Sequence, residues 1–233
     1  VELSLTNSPS QKVVVERLSM QGSLDFVESF HWRTEVQTNG IQTTSMVDGV
    51  QLFLDGEVEI TGELKNEDWK IRFNHLNYQG KLNHSLVDLK GSILAESKGW
   101  LEADNLILFI GKNRIYLNGK LNPYQAIPNI ALNASIEAPE LSSVHPSIRG
   151  EVNGKVVMTS QSERPVLNFN FKVNRFSGWG TDLDEGRLVG YVSEPDCLRG
   201  KIRVTAKNLK SSEILVKKAE IQVLGNEKTH LID

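Results

Sequence analysis

The chain has 233 residues, 39% hydrophobic and 24% charged, a balance that excludes a disordered tail and a coiled coil and leaves material for a core. Its 26 Lys and Arg stand against 29 Asp and Glu, a net charge of −3 with no basic stripe, which excludes the electrostatic footprint of a nucleic-acid binder. A single cysteine, Cys197, rules out a disulfide framework and a multi-thiolate zinc site, and leaves the compartment open. No run approaches the roughly 20 apolar residues that span a bilayer. The sequence begins at Val1 with no signal peptide and reads as a segment of something longer.

Along the chain the dominant signal is alternation. From Val50 to Leu64 every second residue is apolar or small (Val50, Leu52, Leu54, Gly56, Val58, Ile60, Gly62, Leu64), with Gln51, Asp55, Glu57, Glu59 and Glu63 between them. This period of two is that of a strand with one wet face. It returns in Trp69–Ile71–Phe73, Ile115–Leu117–Gly119–Leu121, Ile130–Leu132–Ala134–Ile136 and Ile148–Gly150–Val152–Gly154–Val156. The second half continues it in Leu167–Phe169–Phe171–Val173 and Ile202–Val204–Ala206. No stretch carries helical spacing apart from an ambiguous patch, Ser211 to Ala219. The architecture is therefore all-β: a sandwich, a barrel or a stacked solenoid.

Repetition chooses among these. An alternating strand ends in an apolar or small residue followed three places on by Leu or Phe: Phe73 to Leu76, Ala103 to Leu106, Ala138 to Leu141, Val173 to Phe176, Ala206 to Leu209. The step is about 33 residues, and Thr38 to Ile41 reads as an earlier, degraded copy. After each anchor a second strand ends near a glycine, so each repeat is a two-strand unit that buries its apolar side only against neighbours. The expected fold is an extended, repeat-built curled sheet over residues 1–233, with the prolines between 122 and 147 as the best place for a kink. Gly22, Gly56, Gly62, Gly91, Gly119, Gly150, Gly154 and Gly190 share the apolar parity. They let the sheet bend, and a second reading is that their missing side chains leave an empty apolar trough suited to hydrocarbon.

Motifs for chemistry are lacking. His31, His75, His84, His145 and His230 never fall at metal-ligand spacing, and Asp182, Asp184, Glu185 and Gly186 read as a solvated turn rather than a calcium loop. There is no nucleophile elbow, Walker loop or dinucleotide fingerprint, and Gly178-Trp179-Gly180 reads as a turn. Cys197 lacks an adjacent base. Trp32, Trp69, Trp100 and Trp179 are too scattered for the aromatic stripe of a carbohydrate binder. The expectation is a non-enzyme without metal or cofactor.

The segments Ile130–Leu141, His145–Val156 and Arg164–Phe169, with their Ala-Pro-x-Leu, Pro-x-Ile-x-Gly, x-Val-x-Gly and Pro-x-Leu pattern, resemble the TamB family of AsmA-like proteins of Gram-negative bacteria. The resemblance runs through Trp179 and Leu188 to about Gly225 and covers residues 130–225 best, as a middle segment of such a chain. It implies a periplasmic, trough-shaped sheet (a "β-taco") in a bridge anchored in the inner membrane. It further implies the outer-membrane barrel TamA as partner, with insertion of outer-membrane proteins and phospholipid movement as activities.

Combined with the alternation, the expected function is a conduit whose apolar groove carries phospholipid acyl chains. Leu52, Leu54, Val58, Ile60, Phe73, Leu117, Leu132, Ile136, Val152, Val156, Phe169, Phe171, Ile202 and Val204 are the expected lining. The alternative is a chaperone-like scaffold whose sheet edges pair with strands of outer-membrane protein clients.

Overall fold

Alternation at period two is realised as long strands. The structure, a computed structural model, describes residues 3–8, 11–26, 29–44, 51–122, 130–161, 164–193, 199–211, 214–225 and 230–232. Cys197, Pro123 and Pro128 lie outside them. The chain divides into two units, Val1–Gly111 and Lys112–Asp233.

In the first unit β1 (Leu3–Ser8), β2 (Gln11–Asp25), β3 (Phe30–Thr44), β4 (Gln51–Lys65), β5 (Asp68–Leu82), β6 (Ser85–Glu96) and β7 (Leu101–Ile110) each pair antiparallel with the strand before. The second unit holds β8 (Asn113–Leu121), β9 (Ala131–Ala138), a 3-10 turn at Leu141–Ser143, β10 (Ile148–Gln161) and β11 (Arg164–Gly178). It continues through β12 (Thr181–Ser193), β13 (Arg199–Ser211), β14 (Ile214–Gly225) and β15 (His230–Ile232), again each antiparallel to the last. Within the ambiguous patch at Ser211–Ala219 the described residues are the last of β13 and the first half of β14, strand rather than helix. Among the described residues strands pack extensively only on their chain neighbours, so in neither unit does the sheet close into a barrel.

Register carries the apolar parity from strand to strand. In the first unit Thr34, Ile60, Phe73, Ile93 and Ala103 stand opposite one another in succession, as do Ile41, Leu54, Gly80, Val87 and Ile110. In the second, Ala134, Val156, Phe169, Gly190, Ile202 and Val223 form one such row and Ala138, Val152, Val173, Gly186, Ala206 and Ala219 another. The intervening rows are polar, for example Asn153, Lys172, Arg187, Thr205 and Glu220.

The repeat anchor has a backbone cause. Two apolar residues three apart fall on opposite faces of a regular strand, unless one residue between them is taken out of the ladder. That happens at Gly40, His75, Asn105 and Arg175, each left-handed with φ of 70°, 51°, 50° and 49°, where the register slips by one residue. Asn208 (φ 51°) is likewise skipped by the ladder, opposite Asp184. Arg175 and Asn208 share one level of the second unit and His75 and Asn105 one level of the first, Gly40 lying further along the ladder, beside Asp55 rather than Val58; the four bulges lie on β3, β5, β7 and β11. Each bends its strand and increases the local twist.

Carboxylates on the adjoining strand brace most of them. Asp55 Oδ1 accepts from Gly40 N at 2.7 Å, Glu59 from Asn74 Nδ2 at 3.2 Å, Glu151 from Asn174 Nδ2 at 3.4 Å, and Asp184 from Asn208 Nδ2 at 2.7 Å. Asp184 and Glu185 thus lie within β12 and are bonded across to β13, not in the solvated turn their sequence suggested.

The copy expected at Ala138–Leu141 departs from this pattern. β9 ends at Ala138, Glu140 takes an extended φ of −146°, and the 3-10 turn follows. The buried Asn113 side chain clamps this connection, donating to Glu140 O at 2.8 Å and accepting from Glu140 N at 3.0 Å. Pro139, which offers no N–H, suits the exit from the ladder.

Because a left-handed backbone costs an L-residue other than glycine roughly 1–2 kcal/mol, substitutions at Asn208 discriminate its left-handed backbone from an ordinary strand position. Asn208→Gly is expected to hold the urea unfolding free energy within about 0.5 kcal/mol, and Asn208→Val to lower it by about 1–2 kcal/mol. A valine variant as stable as the parent would show that the left-handed conformation is not formed.

Candidate functional site

The expected lining residues fall together within each unit. Leu52, Leu54, Val58, Ile60 and Phe73 project from one face of the first unit with Val36, Ile71, Leu89, Ile93 and Leu108. Leu117, Leu132, Ile136, Val152, Val156, Phe169, Phe171, Ile202 and Val204 share one face of the second with Met158, Leu167, Leu188 and Ile221. Val36, Leu89, Leu108 and Leu188 are additions to the expected lining. Threonines interrupt the run around Val36 (Thr34, Thr38), but its parity is the same.

Burial along these faces is uneven. Val36 and Val58 reach 8% and 7% exposure, whereas Val204 and Ile221 stay 38% and 46% exposed. Most of the remaining lining is half-buried.

The glycines on these faces do not leave an empty level, contrary to one reading of the sequence. A Cβ added at Gly62 would overlap the Trp32 ring, at Gly56 the Tyr78 ring and at Gly154 the Phe171 ring. Each ring lies across the bare backbone of the strand beside it, restoring contact that the glycine forgoes. The apolar surface is thereby built of rings seated on glycines.

Three of the four tryptophans are not scattered. Trp32, Trp69 and Trp100 all lie at the end of the first unit where the β2–β3, β4–β5 and β6–β7 turns fall. Leu64 stands opposite both Phe30 and Trp69, and the Glu96–Ser97 backbone bonds the carbonyls of Trp100 and Trp69 at 3.0 and 2.8 Å. The available signal was their spacing, about one repeat each.

The other face of each sheet is polar. In the first unit Arg33 pairs with Glu59, Lys70 with Glu96 at 2.9 Å and Lys98 with Asp68 at 2.9 Å. A cleft of 440 Å³ lies among Glu63, Lys65, Asp68, Lys70, Glu96 and Lys98. In the second, Lys207 meets Glu185 at 2.8 Å. Lys98 lowers the Asp68 pKa by hydrogen bonding, with Ser97 adding to it, and Lys207 does the same for Glu185. Among the described residues no three His, Cys, Asp or Glu side chains are grouped to hold a metal. No helix there is long and apolar enough to cross a membrane.

A protein of consecutive antiparallel strands in one unclosed sheet, apolar along one side, belongs to the class of repeat-built β-sheets. Residues 15–233 match the TamB N-terminal domain, and the chain belongs to that family. This corrects the expectation of a middle segment, since the matching domain is the N-terminal one. The chain is 21% identical over 229 residues to the translocation and assembly module subunit TamB of Haemophilus influenzae, covering 94% of this chain and 17% of that protein. It is 18% identical over 175 residues to an uncharacterized protein of Buchnera aphidicola subsp. Acyrthosiphon pisum, 75% of this chain and 18% of that one. The chain thus spans less than a fifth of the length of these curated relatives. No solved structure matches.

The Asp68–Lys98 pair gives a direct check on the polar side. A carboxyl whose folded pKa is lowered contributes stability that is present above its ordinary value and is lost as pH falls through the lowered one. The Asp68 carboxyl is expected to titrate below 3.8 by NMR and to return towards 3.8 in Lys98→Met. A midpoint at or above 3.8 in the parent would show the two groups apart.

Proposed function

We propose that the apolar faces of the two units hold phospholipid acyl chains. In this reading the chain is part of a periplasmic bridge, anchored in the inner membrane, that carries phospholipid between the membranes and supports outer-membrane protein assembly with the barrel TamA. The observation that carries the proposal is the continuity of the apolar rows: Ile136, Gly154, Phe171, Leu188 and Val204 stand opposite one another from strand to strand, and Val204 is still 38% exposed.

The energetics favour a hydrocarbon occupant. At about 0.8 kcal/mol per CH₂, an acyl chain of roughly fifteen methylenes costs on the order of 12 kcal/mol to expose to water. A face of half-buried Leu, Ile, Val and Phe removes much of that cost and asks for no directed polar contact, so it suits chains that slide. The polar rows on the other side keep the sheet wet and give headgroups an aqueous border. The translocation and assembly role follows from the relative's name, and the face itself presents hydrocarbon rather than catalytic groups.

The test is native mass spectrometry of the chain purified from a Gram-negative host, with extraction of what is bound. Phospholipid at defined stoichiometry is expected. Val152→Asp, set between Ala138 and Val173 in the middle of an apolar row, is expected to lower occupancy at least about tenfold, as a charge among methylenes must. Lys155→Gln, on the polar side, is expected to leave occupancy unchanged. Lipid-free protein, or equal occupancy in a folded Val152→Asp variant, would overturn the proposal and favour strand pairing with protein clients.

A further inference from the structure

The turn end of the first unit carries more exposed aromatic surface than its sheet needs. Phe26 stacks on Phe30 at 4.9 Å and Phe30 on Trp32 at 5.3 Å. Around them Phe26 is 72% exposed, Leu24 63%, Leu101 45%, Leu64 40% and Trp69 39%. At the opposite end the β5–β6 turn places Asn83 and His84, with Leu86 and Phe53 as the exposed large apolar residues near it among the described residues.

The surrounding charge identifies the partner. The lysines beside the rings are matched locally, Lys70 by Glu96 and Lys98 by Asp68, with Ser97 also donating to Asp68 at 3.1 Å. The first unit as a whole holds 16 Asp and Glu against 9 Lys and Arg, so it has no positive field to seek an anionic surface. Aromatic rings at an apolar–polar boundary, bordered by paired opposite charges, match the headgroup layer of a zwitterionic bilayer, where Trp and Phe partition favourably. The rings also continue directly into the apolar face, through Trp32 opposite Gly62 and Gly62 opposite Ile71.

We propose that this end of the first unit docks into the interfacial layer of a zwitterionic phospholipid bilayer, with Phe26, Phe30, Trp32 and Trp69 as the inserted rings. Docking stands independently of the acyl-chain reading; only its use, passing lipid from bilayer to apolar face, rests on that reading.

The experiment is flotation of the chain with phosphatidylcholine vesicles, combined with tryptophan quenching by brominated phosphatidylcholine in a Trp179→Phe background. In that background every tryptophan lies at the aromatic end. The parent is expected to float and to be quenched, with partitioning changed less than about twofold when salt rises to about 0.5 M, because charge attraction is not the driving force. Leu24→Ser combined with Phe26→Ser, both well exposed, is expected to keep the urea midpoint and to weaken partitioning by about tenfold or more. No flotation, undiminished flotation of the double variant, or binding only to anionic vesicles at low salt would each overturn the proposal. Self-association in sedimentation that the double variant abolishes would overturn it too, by assigning the rings to a second copy. Co-purified lipid without flotation removes docking and leaves the acyl-chain reading, whereas flotation without co-purified lipid does the reverse.

Discussion

Register is the constraint on which the rest of this structure depends. In a sheet built of consecutive strands, a slip of one residue in any pair would exchange the apolar and polar sides of every strand that follows. The bulges must therefore be placed consistently, and they are. A left-handed residue is inserted between two apolar ones so that both stay on the same side. Because the adjoining strand supplies Asp55, Glu59, Glu151 or Asp184 to hold the insertion, the polar side of the sheet fixes the geometry of the apolar side.

This explains which features were legible in the sequence. Which side a residue faces is local information, so Leu52, Phe73, Val152 and Phe171 could be assigned by counting alone. The anchor spacing of three was also visible, yet its meaning as a bulge was not, since Asn, His and Arg at the inserted position share no side-chain chemistry beyond tolerating positive φ. Features needing several strands in register were hidden. The cluster of Trp32, Trp69 and Trp100 forms only when three hairpins are laid side by side. The seating of Trp32 on Gly62, or Phe171 on Gly154, needs both register and rotamer. The copy at Ala138–Leu141 matches the anchor in letters and fails in structure, because Asn113, distant in sequence, captures Glu140.

Each strand of this sheet hydrogen-bonds only to its chain neighbours, so much of its stability comes from within the sheet. Cross-strand pairs supply part of it, each worth roughly 0.2–1 kcal/mol, and rings folded onto glycines supply contact where the backbone would be bare. Interactions of this nearest-neighbour kind make the sheet extendable, since each hairpin depends on the one beside it rather than on closure. Ion pairs on the polar side add little energy in water. They matter by setting alternatives: a strand shifted by one residue would bring Glu59 or Lys172 onto the apolar side, at a cost far above the pair's own worth.

An apolar face of this extent is a hazard unless something occupies it, since exposed strands of low charge pair with other chains. Two features separate this face from an accidental patch. Its apolar rows are continuous within each unit, which a merely destabilised core would not preserve. At one end of the first unit Phe30, Trp32 and Trp69 gather, ring-bearing residues of the kind that tolerate the boundary between hydrocarbon and headgroup. If acyl chains occupy it as proposed, a face of Leu, Ile, Val and Phe would give hydrocarbon surroundings like those of the membrane core, so the barrier to transfer would be set by the headgroup and not by the chains.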